Sequence, residues 1–387
     1  MPFSRYMELC LYEPELGYYS RAAKQFGKAG DFYTSSDVHA LFGRLLARQF
    51  DEMWRALGSP DQIEVLELGP GRGLFAQDVL DWSEKKFPDF FAALHYRFAE
   101  RSSALREHIT QTLSRRFESG KCTFGEIGTT CHPERGRKPE SMDLASLHDD
   151  AKVSGRSPRT LDQPLIIFAN EFFDALPVEV VSDQGTLRIG LRDGQFIETW
   201  APASERELEY LDRYSIHPEP GERVEVPLVA HDYAKCAAQL VEHGLFIAID
   251  YGYTRDELLA GRHRGTIMAY RQHSASSNPY EAPGEQDITA HVNFSALASA
   301  LEANGLKPQK LLTQSQFLMG IGESTQFADA FADCRLPQEH AKVALQLKHL
   351  VTPAGMGETF QVLVASKGMA LETVTTLSGL SFGQGVR

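Results

Sequence analysis

The stretch Glu64-Val65-Leu66-Glu67-Leu68-Gly69-Pro70-Gly71-Arg72-Gly73 decides the fold of this chain of 387 residues. It begins as an apolar run with an acid near its end, continues into a turn with three glycines, and is followed by a helical pattern. Such a turn brings backbone N–H groups and a helix N-terminus close to a polar ligand. A dinucleotide-binding turn would need glycine at position 74, which is leucine. The alternative is a turn that only links strand to helix.

Strand and helix patterns alternate on both sides of this turn. Apolar residues at three- and four-residue intervals predict a helix over 36–57, and Ser102 or Ser103 is the predicted N-cap of another helix. Further helices are predicted after the glycine turn and near 229–243, 294–303 and 339–350; strands are predicted at 63–68, 96–99, 122–124, 164–169, 245–249 and 360–365. This alternation is typical of the α/β class and predicts a doubly wound, mostly parallel, Rossmann-like sheet.

The same patterns divide the chain into regions. Residues 1–62 are predicted as an N-terminal segment and helix that cover the ligand site, and 63–181 as the first part of the core. Within it, 126–163 is polar and rich in glycine and proline, which favours a long exposed loop, either a partner contact or a tolerated insertion. Residues 182–228 are predicted as an antiparallel substrate-side insertion with an Asp193-Gly194 hairpin turn. Residues 229–368 are predicted as the rest of the core with helical additions, and 369–387 as a weakly ordered tail.

Composition narrows the class of protein. The net charge is −13, which disfavours binding to nucleic acid or to anionic membranes. Five cysteines show no metal-type spacing and suit a reducing compartment, so we predict no metal site. No apolar run reaches the roughly 18 residues that a membrane span needs, so no membrane insertion is expected. We find no leader sequence pattern, and the prediction is a cytoplasmic enzyme of uncertain oligomeric state.

Acidic residues stand at the predicted carboxyl ends of four strands, where open α/β sheets bind ligands: Glu67, Glu100, Glu171 and Asp250. The glycine turn, with an acid two residues before its first glycine, resembles the S-adenosylmethionine (SAM) loop of class I methyltransferases. In that reading Glu100 accepts both ribose hydroxyls, since two carboxylate oxygens match two donors. Glu67 would orient the loop and the amino group of the ligand. The alternative for Glu100 is a solvated surface acid.

Asn170 and Glu171 follow the fourth predicted strand and are the predicted acceptor residues. Methyl transfer from a sulfonium needs a lone pair held in line with the methyl carbon. For a guanidinium acceptor, Glu171 would pair with the cation through bidentate hydrogen bonds, with Asp174 as a second acceptor. The structural alternative is that Asn170 and Asp174 cap a following helix and that Glu171 complements its dipole. His273 and His291 lack a nucleophile motif, which disfavours a hydrolase triad.

The chain as a whole resembles the MidA-like family, which includes the mitochondrial protein-arginine methyltransferase that assists assembly of respiratory complex I. The resemblance spreads over nearly the whole sequence in the family's order. It is carried by Arg5-Tyr6-Met7-Glu8, Leu11 to Tyr19, Gly30 to Ser35, Glu67 to Gly73, Asn170-Glu171-Phe172-Phe173-Asp174-Ala175-Leu176-Pro177, Ile249 to Gly252, Gln286 to Val292 and Gly355 to Glu358.

This resemblance implies a SAM-dependent protein-arginine N-methyltransferase that yields S-adenosylhomocysteine. It implies a protein substrate, with a respiratory complex subunit as a candidate partner. It further implies that the segment with Asp31, Tyr33 and Thr34 folds across the cofactor. The predicted cofactor-binding residues are therefore Asp31, Tyr33, Thr34, Glu67, Gly69, Pro70, Gly71, Gly73 and Glu100, and the predicted catalytic residues are Glu171 and Asn170.

Two alternatives stay open at this stage. One is an assembly chaperone that binds SAM without needing turnover. The other is a methyltransferase for small molecules or nucleic acid. A base-amine methyltransferase would favour an Asn/Asp-Pro-Pro-Tyr block, and this chain has Asn170-Glu171-Phe172-Phe173 in that place.

Overall fold

A computed structural model gives the fold and describes residues 1–25, 40–125, 163–259, 264–271, 274–323 and 325–382. The predicted loop 126–163, apart from its last residue, and the segment with Asp31, Tyr33 and Thr34 lie outside these ranges, as does His273. None of the described helices is both long and apolar enough to cross a membrane.

A nine-stranded sheet forms the centre of the molecule. The main strand order is β14-β16-β9-β4-β1-β2-β3, with β13 paired to β9 and β15 paired to β16. Strands β3, β2, β1, β4 and β9 run parallel, and β16 joins β9 antiparallel. The strands are β1 (Ile63–Leu68), β2 (Leu94–Ala99), β3 (Cys122–Phe124), β4 (Leu165–Asn170), β9 (Gly244–Tyr253), β13 (Val292–Asn293), β14 (Lys307–Pro308), β15 (Leu312–Thr313) and β16 (Phe360–Lys367). The predicted doubly wound, mostly parallel sheet is confirmed.

Helices cover both faces of the central sheet because its inner strands are apolar on both sides. All six residues of β1 are buried, as parallel strands between two helical layers require. On one face, α3 (Ala40–Ala56) and α4 (Leu74–Lys86) pack phenylalanines against β1 and β4. On the other face, α9 (Leu228–Leu240) and α11 (Phe294–Glu302) pack alanines and leucines against β4 and β9.

Two small antiparallel sheets stand beside the carboxyl edge of the central sheet. One has the order β7-β6-β5-β8 and the other β11-β10-β12. The N-terminal helices α1 (Phe3–Tyr12) and α2 (Tyr18–Gln25) belong to this region, and α1 shares a core with β5, β6 and β12. The strands are β5 (Glu179–Ser182), β6 (Gly185–Arg192), β7 (Gln195–Ala201), β8 (Val224–Val226), β10 (Met268–Arg271), β11 (Ser274–Ser276) and β12 (Asp287–Thr289).

The other described helices connect these layers. They are α5 (Pro88–Ala93), α6 (Ser103–Thr112), α7 (Ser114–Glu118), α8 (Glu205–Tyr214), α10 (Arg255–Leu259), α12 (Gln314–Glu323), α13 (Ala328–Phe331), α14 (Pro337–Val351) and α15 (Leu371–Thr375), followed by a 3₁₀ turn at Ser378–Leu380. Ser102 is the N-cap of α6, as predicted, and its hydroxyl accepts the Leu105 N–H. The Asp193-Gly194 pair forms the predicted hairpin turn between β6 and β7, with φ of 51° and 78°.

The tail differs from the sequence-based expectation. Residues after Gly368 were predicted to be weakly ordered, yet α15 and the 3₁₀ turn pack against the core as far as Leu380. Leu377 is buried, and the Gly379 N–H donates to Gln49 on α3. The 3₁₀ turn of this segment contacts α3 and α12, which are distant along the chain. The polarity of the segment itself does not predict such a contact.

Candidate functional site

The register of the central sheet brings the predicted site residues to one edge. Leu68 of β1 pairs with Ala99 of β2 and with Ala169 of β4, so the glycine turn, Glu100 and Asn170 all follow paired positions. Asn170 in turn pairs with Ile249 of β9, one residue before Asp250. The carboxyl ends of parallel strands meet at the same edge, and this is where such sheets bind ligands.

The glycine turn has a backbone that side chains rarely tolerate. Gly69, Gly71 and Gly73 have φ of 62°, 54° and 75°, and the Gly73 N–H donates to the Pro70 carbonyl at 2.9 Å. A Cβ on Gly71 would meet no heavy atom of the described residues within 4 Å, so these residues leave the space above it open. Gly73 is also the N-cap of α4. The turn therefore places its backbone N–H groups and a helix N-terminus next to open space, where a ligand can approach closely. This arrangement fits the cofactor predicted from the sequence.

Glu100 lies beside this turn, at the end of β2. Its Oε1 accepts the Ser102 N–H at 2.8 Å, which fixes the carboxyl next to the N-terminus of α6. Burial raises the pKa of Glu100 to about 7, while the N–H groups of Ser102 and Arg101 act in the opposite direction. A fixed, half-buried carboxyl at this place suits two hydroxyl donors, and the role of Glu100 in holding ribose stays a prediction.

Glu67 lies below the turn and is 4% exposed. The Tyr96 hydroxyl donates to its Oε2 at 2.9 Å. Burial raises the pKa of Glu67 to about 8, and the Tyr96 hydrogen bond lowers it only in part. The side chain therefore joins β1 to β2 beneath the loop, which is consistent with orienting the turn. Its contact with a ligand amino group stays a prediction.

Asn170 and Glu171 form a strained turn at the end of β4. Glu171 has φ of 49°, a value that residues other than glycine seldom adopt. Its N–H donates to the Ile249 carbonyl at 2.9 Å, and Asn170 Nδ2 donates to Glu171 Oε1 at 3.1 Å. The alternative reading of these residues as helix caps is wrong, because a series of turns rather than a helix follows β4. The hydrogen bond to the β9 backbone, and not a following helix, fixes the position of Glu171.

Asp250, predicted only as a fourth strand-end acid, is the anchor of that turn. It is 1% exposed, and its Oδ2 accepts the N–H groups of Phe173 and Asp174 at 3.0 and 3.3 Å. Burial raises its pKa well above the usual range, and the charges of Asp174 and Glu171 raise it further. Asp250 therefore interacts with both carboxylates predicted to meet the acceptor.

A set of five acidic and tyrosine side chains continues the edge beyond this turn; we call it the acid–tyrosine wall. The Tyr251 hydroxyl donates to Asp174 Oδ2, and the Tyr19 hydroxyl donates to Asp287 Oδ1 at 2.9 Å. Tyr12 donates to the Ala175 carbonyl at 2.9 Å. The pKa of Tyr12 is raised by burial and then by the charges of Asp287, Asp174 and, among others, Glu100. The wall comprises Tyr12, Tyr19, Asp174, Tyr251 and Asp287.

The sequence reasoning gave no role to four members of the wall. Tyr12, Tyr19, Tyr251 and Asp287 all fall in segments that carry the family resemblance, which was the available signal. Their distance along the chain concealed their proximity. The ring of Tyr280 packs against the rings of Tyr6 and Phe196. His291 packs edge-on against Tyr251, with ring centroids 5.5 Å apart.

Comparisons with known proteins agree with this arrangement. A family described as "Putative S-adenosyl-L-methionine-dependent methyltransferase" matches residues 45–312. A crystal structure from Burkholderia thailandensis, bound to S-adenosyl-homocysteine, has a TM-score of 0.74 at 26% identity and covers 100% of this chain and 91% of its own. These matches confirm the predicted family resemblance, reaction class and cofactor.

Curated relatives carry more detailed names. The "Protein arginine methyltransferase NDUFAF7 homolog, mitochondrial" of Drosophila melanogaster is 28% identical over 95% of this chain and 82% of its own length. The human "Protein arginine methyltransferase NDUFAF7, mitochondrial" is 26% identical over 92% of this chain and 78% of its own length. Because these relatives are mitochondrial, the predicted cytoplasmic location is contradicted.

Proposed function

Because this chain belongs to the family of S-adenosylmethionine-dependent methyltransferases, we propose that it methylates an arginine of a protein substrate, with Asn170 and Glu171 at the acceptor. The glycine turn and Glu100 hold the cofactor in this proposal, together with Asp31, Tyr33 and Thr34 from outside the described residues. The arginine acceptor is supported by the names of the curated relatives. A respiratory complex subunit as the partner stays a prediction from the family resemblance.

The observation that carries the proposal is the strained Glu171 next to the cofactor turn. Strands β1 and β4 are neighbours, and a Cβ on Gly69 would come within 2.7 Å of the Phe172 ring. The turn with Asn170 and Glu171 therefore touches the glycine turn. Backbone strain of this kind costs about 1–3 kcal/mol and persists where the surrounding structure enforces it, often at functional sites.

The chemistry asks little of the protein beyond positioning. SAM supplies a methyl group on a positively charged sulfur; the C–S electron pair stays on sulfur as a C–N bond forms, and the nitrogen then releases a proton. Glu171 would hold two N–H groups of the guanidinium and aim the third nitrogen at the methyl carbon. Asn170 Nδ2, which donates to Glu171 Oε1, would fix the carboxylate orientation.

The proposal is tested by incubating the protein with tritiated SAM and a protein extract from source cells that lack the gene. Acid hydrolysis and amino-acid analysis then identify the methylated residue. We expect methylarginine, and a decrease of about 100-fold in its rate of formation for Glu171→Gln, because the charged partner of the guanidinium is lost. Cofactor affinity, measured by calorimetry with S-adenosylhomocysteine, should stay within about twofold.

The matched control is Asp193→Asn. Asp193 has φ of 51° and is also a carboxylate at a left-handed position, but it lies in the β6–β7 hairpin turn. It should methylate at the rate of the unaltered protein. Methyl label on lysine, on a small molecule or on nucleic acid alone would overturn the proposed acceptor, and an unchanged rate for Glu171→Gln would remove Glu171 from it.

A further inference from the structure

Two buried carboxyls of this edge have no cationic partner among the described residues: Asp174 of the acid–tyrosine wall and its neighbour Asp250. Asp174 is 4% exposed and Asp250 is 1% exposed. Asp174 Oδ1 is buried and accepts no hydrogen bond from a described residue. A buried carboxylate oxygen without a partner costs free energy, which a bound cation would recover.

The ionisation behaviour of these groups is consistent with that geometry. Burial raises the pKa of Asp174 to about 6, and the Tyr251 hydroxyl lowers it only in part. Asp250 is raised further by its two acidic neighbours. Carboxyls whose pKa values are raised in this way gain free energy when a positive group arrives, because the cation favours their charged form.

The tyrosines give the wall a second means of binding a cation. The rings of Tyr12 and Tyr19 lie 5.4 Å apart between centroids, and their hydroxyls are engaged by Ala175 and Asp287. Fixed hydroxyls hold the rings in place. An aromatic face within about 6 Å of a cation attracts it, most strongly where water is excluded. Guanidinium groups suit such a surface because they are planar and weakly hydrated.

Resting on the proposed function, we propose that the acid–tyrosine wall recognises the positive charge of the acceptor side chain and that Asp174 determines this specificity. Glu171 then orients the reacting end of the guanidinium, while Asp174 and Asp287 attract the cation and exclude uncharged amides of the same shape. Asp250 contributes by positioning, since it holds the Phe173 and Asp174 N–H groups and so fixes where the Asp174 carboxylate stands.

The test measures charge selectivity directly and needs no knowledge of the protein acceptor. The protein is saturated with S-adenosylhomocysteine and titrated, at constant ionic strength, with ethylguanidinium chloride and with its uncharged counterpart N-ethylurea, using NMR chemical shifts. We expect at least tenfold tighter binding of ethylguanidinium. Asp174→Asn should abolish this preference, and Asp287→Asn should reduce it several-fold.

The matched control is Glu207→Gln. Glu207 is also buried, at 3% exposure, and also accepts a hydroxyl hydrogen bond, from Thr186 in the four-stranded sheet region. It should keep full charge selectivity. Thermal unfolding checks that each variant is folded. If Asp174→Asn does not fold, Asp287→Asn decides the test. In that case, charge selectivity of Asp287→Asn equal to that of the unaltered protein would overturn the proposed role of the wall.

Other outcomes also overturn the inference. One is equal binding of ethylguanidinium and N-ethylurea by the unaltered protein. Another is a loss of SAM affinity without a loss of ethylguanidinium affinity in Asp174→Asn, which would assign the charge to the sulfonium. The proposed function can fail separately. Charge-selective binding with no methylarginine formed from tritiated SAM would support the role of the wall in binding cations and would reject the reaction on protein arginine.

Discussion

The cofactor side and the acceptor side of this edge are built in opposite ways. The glycine turn is one contiguous stretch, Glu64 to Gly73, and its properties follow from its own residues. The acid–tyrosine wall draws on α1, α2, the turn after β4, β9 and β12, which span residues 12 to 287. A local conformation defines the first, and tertiary packing defines the second.

The two sides also differ in what a substitution disturbs. A side chain on Gly71 would clash with none of the described residues, so a change there acts on backbone strain and on the ligand space. The wall consists of buried polar groups that depend on each other, where removing one partner leaves another without compensation. We therefore expect changes in the glycine turn to affect cofactor binding and changes in the wall to affect the acceptor.

The largest effect is expected for Gly71→Val. Valine would place a branched side chain in the open space of the turn, at φ of 54°, where it also strains the backbone. We expect the Kd of S-adenosylhomocysteine, measured by calorimetry, to rise about 100-fold or more. Charge-selective binding of ethylguanidinium, measured without cofactor, should remain.

Gly120→Val is the control for that variant. Gly120 has φ of 67° and nothing within 4 Å of a Cβ, yet it lies in the turn before β3. It should lose similar stability in urea unfolding and bind S-adenosylhomocysteine normally. Equal loss of cofactor affinity in both variants would show that strain, rather than ligand space, explains the effect.

An intermediate effect is expected for the pH dependence of cofactor binding. The pKa of Glu100 is about 7, and its charged form is the better acceptor for two hydroxyl donors. The charged fraction rises from about one tenth at pH 6 to about nine tenths at pH 8, so affinity should increase by about tenfold with rising pH.

The Glu100→Gln variant should flatten that profile and bind, at both pH values, about as weakly as the unaltered protein at pH 6. Calorimetry with S-adenosylhomocysteine at pH 6, 7 and 8 measures both. An unchanged pH dependence in the variant would assign the titration to another group, with Glu67 as the first alternative because its pKa is raised to about 8.

The smallest effect is expected for Tyr12→Phe. The change removes one hydrogen bond, from the hydroxyl to the Ala175 carbonyl, which is worth about 1 kcal/mol of stability. Because the ring of Tyr12 is then less firmly held, acceptor binding should weaken by at most roughly fivefold. The readout is the affinity for ethylguanidinium, with cofactor affinity expected to stay constant.

Tyr6→Phe is its control. Tyr6 is also on α1 and also donates to a backbone carbonyl, that of Pro279, at 2.9 Å. The stability loss should be similar and the ethylguanidinium affinity unchanged. If Tyr12→Phe lost more cofactor affinity than ethylguanidinium affinity, the proposed separation between cofactor side and acceptor side would be wrong. Tyr12 tests this separation because the charge of Glu100 also acts on it.

The sequence predicted the central sheet well because its signals are local. The strands predicted at 63–68 and 122–124 match the observed strands at both ends, and the hairpin turn at Asp193-Gly194 forms as predicted. Helices α1, α2, α8 and α12 were not predicted, although α8 has a local signal in the capping box that Ser204 forms with Glu207.

The candidate site shows the same division. Glu171 could be placed at the end of β4 from the sequence, but its left-handed backbone depends on pairing with β9. The helix assumed after Asn170 is absent in the described turn 171–176, where Asp250 accepts the N–H groups of Phe173 and Asp174. Local sequence patterns do not reveal such contacts between residues distant along the chain.

The position of the Phe172 ring against Gly69 has a consequence for regulation of turnover. If this ring shifts when either loop is occupied, the two binding equilibria become linked, and such linkage is reciprocal. Whatever factor an acceptor adds to nucleotide affinity, the nucleotide returns to the acceptor. The demethylated nucleotide product would then leave at a rate that depends on whether the methylated chain is still seated.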